Sequence, residues 1–93
     1  KAARSAPGHI YWYYPIQYRD REKLVAHAMR QGRDITMSYH RNCASMPCFA
    51  EFARECENAQ ATADSLIYLP TYPRYPESEI RETIKAIRSY FGR

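Results

Sequence analysis

With 93 residues, 45 % of them apolar and 26 % charged, the chain has the size and composition of one folded domain and is too apolar for a disordered segment. A domain this small buries only about 60–65 % of the surface its unfolded chain exposes, so its core is small. The net charge of +4 comes from 14 Lys and Arg against 10 Asp and Glu scattered from Lys1 to Arg93, which describes a solvated surface better than a phosphate track.

The first element predicted is a strand over Gly8 to Tyr18, GHIYWYYPIQY, with Ile10, Trp12, Tyr14, Ile16 and Tyr18 on one face and Tyr11, Tyr13, Pro15 and Gln17 on the other. Both faces are aromatic, so one is expected to pack on the domain's own helices and the other to be exposed or covered by another body. Pro15 cannot donate a ladder hydrogen bond, which places it at a bulge, at a strand end or on an edge. Asp20 then reads as an N-cap, Leu24, Val25, Ala28 and Met29 recur at helical spacing, and Gly32 supplies the left-handed stop. From Asp34 to Tyr39, Ile35, Met37 and Tyr39 alternate with Thr36 and Ser38, which predicts a second strand and makes residues 8–40 a β-α-β unit.

HRNCASMP reads as a loop, with Pro47 placed to open a helix whose apolar face is Phe49, Phe52, Ala53 and Cys56. A break is expected near Glu57 or Asn58, with helix resuming through Ala59, Ala63 and Leu66. SLIYLPTYPRYP must be extended, as a short strand or an ordered connector. Pro76 and the early acids Glu77 and Glu79 open a last helix with the stripe Ile80, Ile84, Ile87 and Phe91, Lys85 and Arg88 toward its end, and Gly92 after it. The expected fold class is α/β (α+β): a small sheet with helices packed over it.

Targeting and chemistry leave few signals. The apolar runs fall short of the about 20 residues that span a bilayer, and KAARSAPGH lacks the apolar core of a signal peptide, so a cytoplasmic protein with no membrane partner is the expectation. The chain begins with Lys rather than Met, which suggests a processed product or a piece of a longer protein. Three cysteines, Cys43, Cys48 and Cys56, are an odd number and argue for reduced thiols, read as small buried hydrophobes or inert thiols. With His40 they form the one soft-ligand cluster, yet a helix from Cys48 to Cys56 would rise about 12 Å where ligands of one zinc sit about 4 Å apart, so no metal is expected. The three glycines make no phosphate loop. Exposed strand tyrosines could stack RNA bases, but no Arg or Lys interleaves with them between Gly8 and Tyr18, which counts against nucleic acid as a partner.

The densest polar cluster, SYHRNC, follows a strand end, where loops project side chains from a rigid support. There Arg41 could bind an anion and His40 could titrate. Composition and spacing alone stop at a soluble α/β domain, a free-standing binding module with an aromatic strand for RNA or a protein partner being one reading.

Read in order, RDREKLVAHAMRQGRDITMSYHRNC and NAQATADSLIYLPTYPRYPESEIRETIKAI resemble the C-terminal small domain of the DegT/DnrJ/StrS family of PLP-dependent aminotransferases, which act on nucleotide-linked keto sugars. The match runs from about Tyr13 to Phe91 and is most specific at Leu69-Pro70-Thr71-Tyr72-Pro73. Where the family often has His-Tyr-x-Pro-x-His, this chain has Ser38-Tyr39-His40-Arg41-Asn42-Cys43 and matches at Tyr39.

The resemblance implies a short, largely antiparallel sheet with helices against one face, residues 1–93 being one domain of a longer enzyme. It implies PLP in the full-length parent but none for this chain alone, because the Schiff-base lysine and the Asp that pairs with the pyridine nitrogen would reside in a large PLP-binding domain. The partners implied are that large domain and a second copy in a homodimer. No catalytic residue is then expected here; Tyr39, His40, Arg41 and Asn42 are the substrate-side loop candidates.

Overall fold

A computed structural model describes residues 5–93. The elements are β1 (Tyr14–Gln17), α1 (Arg21–Arg30), β2 (Thr36–Met37), 3-10 turns at Cys43–Ser45 and Pro47–Phe52, α2 (Glu57–Ser65), β3 (Leu66–Leu69) and α3 (Glu77–Tyr90). The absence of a signal-peptide core was read partly from residues 1–4, which lie outside the described residues. Among the described residues no helix is long and apolar enough to cross a membrane.

β3 is the central strand of a three-stranded sheet in the order β1-β3-β2, antiparallel to both neighbours. Of the two readings of SLIYLPTYPRYP, the short strand holds for Leu66–Leu69, which is the middle of the sheet. β1 and β2 run parallel with α1 between them in sequence, so the expected β-α-β unit exists but is split by β3. Register explains both faces. Ile16, Ile67 and Met37 align across the sheet and face α1, while Pro15, Tyr68 and Thr36 align on the opposite face. Pro15 sits on an edge strand: the Tyr18 N–H donates to the Ser65 carbonyl at 3.0 Å, and two-residue alternation therefore turns the Pro15 nitrogen away from β3.

Both outer strands are shorter than predicted because β3 has only the four residues Leu66–Leu69 to pair with. Pro70 follows; by the same alternation its nitrogen, which has no N–H, faces the β2 side, so β2 pairs no further than Thr36 opposite Tyr68, and the β1 ladder ends at Tyr14 opposite Leu69. Gly8 (φ 77°) and Tyr11 (φ 46°) are left-handed, and residues 8–13 form no strand. Ile10 and Trp12, expected on the same face as Tyr14, Ile16 and Tyr18, are 82 % and 74 % exposed. The opposite sheet face is only partly covered within the chain: Thr36 is exposed, Tyr68 is half-buried under Tyr13, whose ring stacks on it at 4.4 Å, and Ser38 is buried.

The core is Leu24, Val25, Ala28, Ile35 and Ile67, with Ile16, Tyr18, Met37, Leu69, Ile87 and Tyr90 packed around it. α1 fills the sheet's apolar face and α3 packs on α1, the α+β layering expected. Both helices stop where glycine permits a positive φ. Gly32 (φ 69°) and Gly92 (φ 72°) donate to the Met29 and Ser89 carbonyls at 2.9 and 3.1 Å, and the next residues, Arg33 and Arg93, donate to Ala28 and Arg88 at 3.0 and 2.9 Å. This is the Schellman arrangement. Asp20 occupies the N-cap position of α1, but its carbonyl accepts the first N–H groups and its side chain makes no cap bond.

Several expectations fail in the second half. The segment from Pro47 is a 3-10 turn that packs on its neighbouring turn rather than on the sheet, so Phe49 and Phe52 are 45 % and 67 % exposed and Ala53 is exposed too. Its intended apolar face has no core to meet, because α1 already covers the sheet. All three cysteines are exposed rather than buried. Cys48 lies in that turn and Cys56 caps α2, so the single helix assumed in weighing zinc does not form; among the described residues no three His, Cys, Asp or Glu side chains gather to hold a metal.

On α3 the face toward α1 is Thr83, Ala86, Ile87 and Tyr90, rotated from the predicted stripe. Ile80 and Ile84, 43 % and 46 % exposed, instead line a groove of about 620 Å³ with Tyr11, Tyr14, Tyr72 and Tyr75. Beyond Ile87, Tyr18 meets Tyr90 and Phe91 edge-on at 5.8 and 5.2 Å, and the neighbouring Tyr90 hydroxyl is the main cause that pushes the Tyr18 phenol up to about 12.

Candidate functional site

Ser38 directly follows β2 on the sheet face opposite the core, its N–H donating to the Leu66 carbonyl at 3.0 Å. The loop that follows is anchored at alternate residues. The His40 N–H donates to Ser38 Oγ at 3.1 Å, Ser38 Oγ–H donates to the Tyr68 hydroxyl at 3.2 Å, and His40 Nδ1 lies 2.8 Å from that same hydroxyl. The imidazole also stands edge-on to Tyr13 and Tyr68, with centroids 6.4 and 6.0 Å away.

Asn42 forms the second anchor. Its Oδ1 accepts the Ala44 N–H at 3.2 Å, which caps a 3-10 turn, and its Nδ2 donates to Gln60 Oε1 at 3.4 Å. Gln60 Nε2 in turn donates to Asp64 at 3.1 Å, so α2 forms the far wall. Arg21, at the start of α1, donates from Nη1 to the Ala63 and Leu66 carbonyls at 2.7 and 3.3 Å. A cation there satisfies carbonyls at the end of α2 and complements its negative pole.

Between these walls is an open cleft of about 420 Å³ that includes all four loop candidates with Arg21 and Asp64. His40 and Asn42 are tied down, whereas Tyr39 is 88 % exposed and Arg41 is exposed. The arrangement can hold a polar ligand by hydrogen bonds and charge: two fixed residues alternate with two that project. Tyr68, Gln60 and Arg21 were not foreseen. The alternation of LIYL contained the one available signal, since Tyr68 must face opposite Ile67.

The motif Leu69-Pro70-Thr71-Tyr72-Pro73 does a different job. Leu69 closes the β1 ladder, and Thr71 Oγ1–H donates to the Trp12 carbonyl at 2.9 Å, tying the aromatic approach to the sheet. The Tyr75 N–H donates to the Tyr72 carbonyl at 3.0 Å, and the two rings meet edge-on at 4.7 Å. This turn leads the chain into α3.

The model of the DegT/DnrJ/EryC1/StrS aminotransferase family matches residues 1–88. The chain belongs to that family. Comparison with the curated proteins and with the solved structures gave no significant match. Nothing in the comparisons supports the alternative of a free-standing aromatic module for RNA or a protein partner.

DegT/DnrJ/EryC1/StrS proteins are generally PLP-dependent, which raises the question of whether the described residues fit the cofactor. They do not. A PLP enzyme needs a lysine poised for a Schiff base. Lys23 is exposed on α1, and Lys85 is exposed on α3 and paired with Glu82. Neither lines the cleft beside the loop.

Proposed function

We propose that residues 1–93 are the C-terminal domain of a PLP-dependent aminotransferase that transfers an amino group to a nucleotide-linked keto sugar, with the lysine and the cofactor supplied by a large domain of the parent protein. This domain is not catalytic alone. It provides a wall of the substrate site through Tyr39, His40, Arg41 and Asn42, and it works in a cytoplasmic homodimer.

The observation that carries the reading is the loop itself, in a chain of this family: a polar cleft at a strand end, with His40 and Asn42 anchored and Tyr39 and Arg41 left to reach outward. The partly open sheet face and the aromatic groove beside α3 support it, since a large domain needs apolar surface to pack on.

The test is steady-state kinetics on the enzyme encoded by the complete reading frame. Arg41→Ala is expected to raise KM for the sugar nucleotide about tenfold, roughly 1.4 kcal/mol, with a smaller change in kcat, as loss of a charge-assisted contact present in both ground and transition states would do. An unchanged KM would remove Arg41 from the substrate wall.

A further inference from the structure

We infer that Tyr68 and Ser38 are positioning residues that hold the neutral His40 ring as its Nε2–H tautomer, so that the loop presents a fixed hydrogen-bond donor to an acceptor oxygen of the molecule entering the cleft. The presentation to substrate rests on the reading above; the tautomer does not.

Proton counting gives the direction of each bond. The His40 backbone N–H can only donate, and it donates to Ser38 Oγ at 3.1 Å. Ser38 is 5 % exposed, so its hydroxyl hydrogen needs an acceptor inside the protein, and the Tyr68 oxygen at 3.2 Å is that acceptor. The phenolic hydrogen of Tyr68 then points to the remaining neighbour, His40 Nδ1, at 2.8 Å. An Nδ1 that accepts leaves the proton of the neutral ring on Nε2.

Running the circuit the other way fails. If Nδ1–H donated to Tyr68 and Tyr68 donated to Ser38, the buried Ser38 hydrogen would have no acceptor, and an unmet buried donor is destabilising. In the forward direction each hydroxyl receives one hydrogen bond and gives one, and such chains strengthen one another. Tyr68 is itself held, being on the central strand under the stacked ring of Tyr13. Among the described residues Nε2 makes no hydrogen bond to the protein, so it is available to a ligand.

Long-range proton–nitrogen correlation spectra of the 93-residue chain, recorded at a pH where the imidazoles are neutral, read the tautomer directly. The expected result is His40 with a protonated Nε2 and an acceptor Nδ1. Tyr68→Phe keeps the ring that stacks on Tyr13 and removes the hydroxyl, so a merely structural Tyr68 would leave the tautomer unmoved; the Nδ1–H form of His40 is expected to become detectable in this variant. His9 is the internal control, because its Nδ1 accepts the Tyr11 N–H at 2.8 Å without Tyr68 and should not change. A wild-type His40 that is mainly Nδ1–H, or a tautomer balance identical in wild type and Tyr68→Phe, overturns the inference. These spectra say nothing of amino transfer, so failure here and an unchanged KM in Arg41→Ala are separate results.

Discussion

Ile67→Ala is expected to lower the unfolding free energy by about 2–5 kcal/mol, read as a drop in the urea midpoint with an unchanged slope. Ile67 is fully buried at the centre of β3, between Ile16 on one side and Met37 on the other, with α1 above it. All three strands meet there, and no neighbouring side chain can collapse into the space without breaking register. A chain of this length is worth roughly 5–14 kcal/mol in total, so this one truncation removes a large part of the domain's stability. Ile67→Val, which deletes one methylene, is expected to cost only about 0.5–1.5 kcal/mol. Equal midpoints for Ile67→Ala and wild type would mean that β3 is not the central strand.

Ala86→Leu is expected to destabilise by the opposite means, about 1–3 kcal/mol from overpacking. Ala86 is 2 % exposed on the face of α3 that meets α1, and Ala28 of α1 is fully buried. Small side chains let the two helices approach closely. A leucine at 86 forces α3 outward and loosens Tyr90, which closes the core beside Tyr18. Ile84→Ala is the contrasting variant: Ile84 is half exposed in the groove and should change stability far less than a core truncation. If Ile84→Ala proved the more damaging in the same urea titration, α3 would have to bury the stripe read from the sequence instead.

That stripe shows where sequence reading stops. The ends of α1 and α3 were legible because they depend on local chemistry: only glycine enters the left-handed region cheaply, and Gly32 and Gly92 do so where these two helices stop, whereas α2, expected to run through Leu66, ends without a glycine at Ser65 and Leu66 begins β3. Which face of α3 is buried depends on the shape of α1, and no local signal records that Ala86 rather than Ile84 fits against it. Strand lengths depend on a partner. The aromatic run from Gly8 looks extended by alternation, but β3 ends before Pro70 and offers residues 8–13 nothing to pair with.

The segment from Phe49 to Cys56 failed for a related reason. Its apolar spacing suits a core-facing helix, yet the one apolar sheet face was already taken by α1. In the site, the strand-end position of Tyr39, His40, Arg41 and Asn42 was legible from the alternation that precedes it. Their anchors were not, because Tyr68 and Gln60 lie 28 and 18 residues away from the side chains they hold. The family resemblance supplied what periodicity could not, and its most specific part, Leu69 to Pro73, is the turn that closes β1 and launches α3.

The central claim is that this chain contributes a substrate-side loop and not the cofactor lysine. Borohydride reduction in the presence of PLP, followed by peptide mass spectrometry, tests it most directly on two proteins, the 93-residue chain and the product of the complete reading frame. The account predicts no stoichiometric adduct on Lys1, Lys23 or Lys85, and in the complete protein a single reduced adduct on a lysine outside these 93 residues. A one-to-one adduct on any of those three lysines, or a complete protein that forms none, would contradict it.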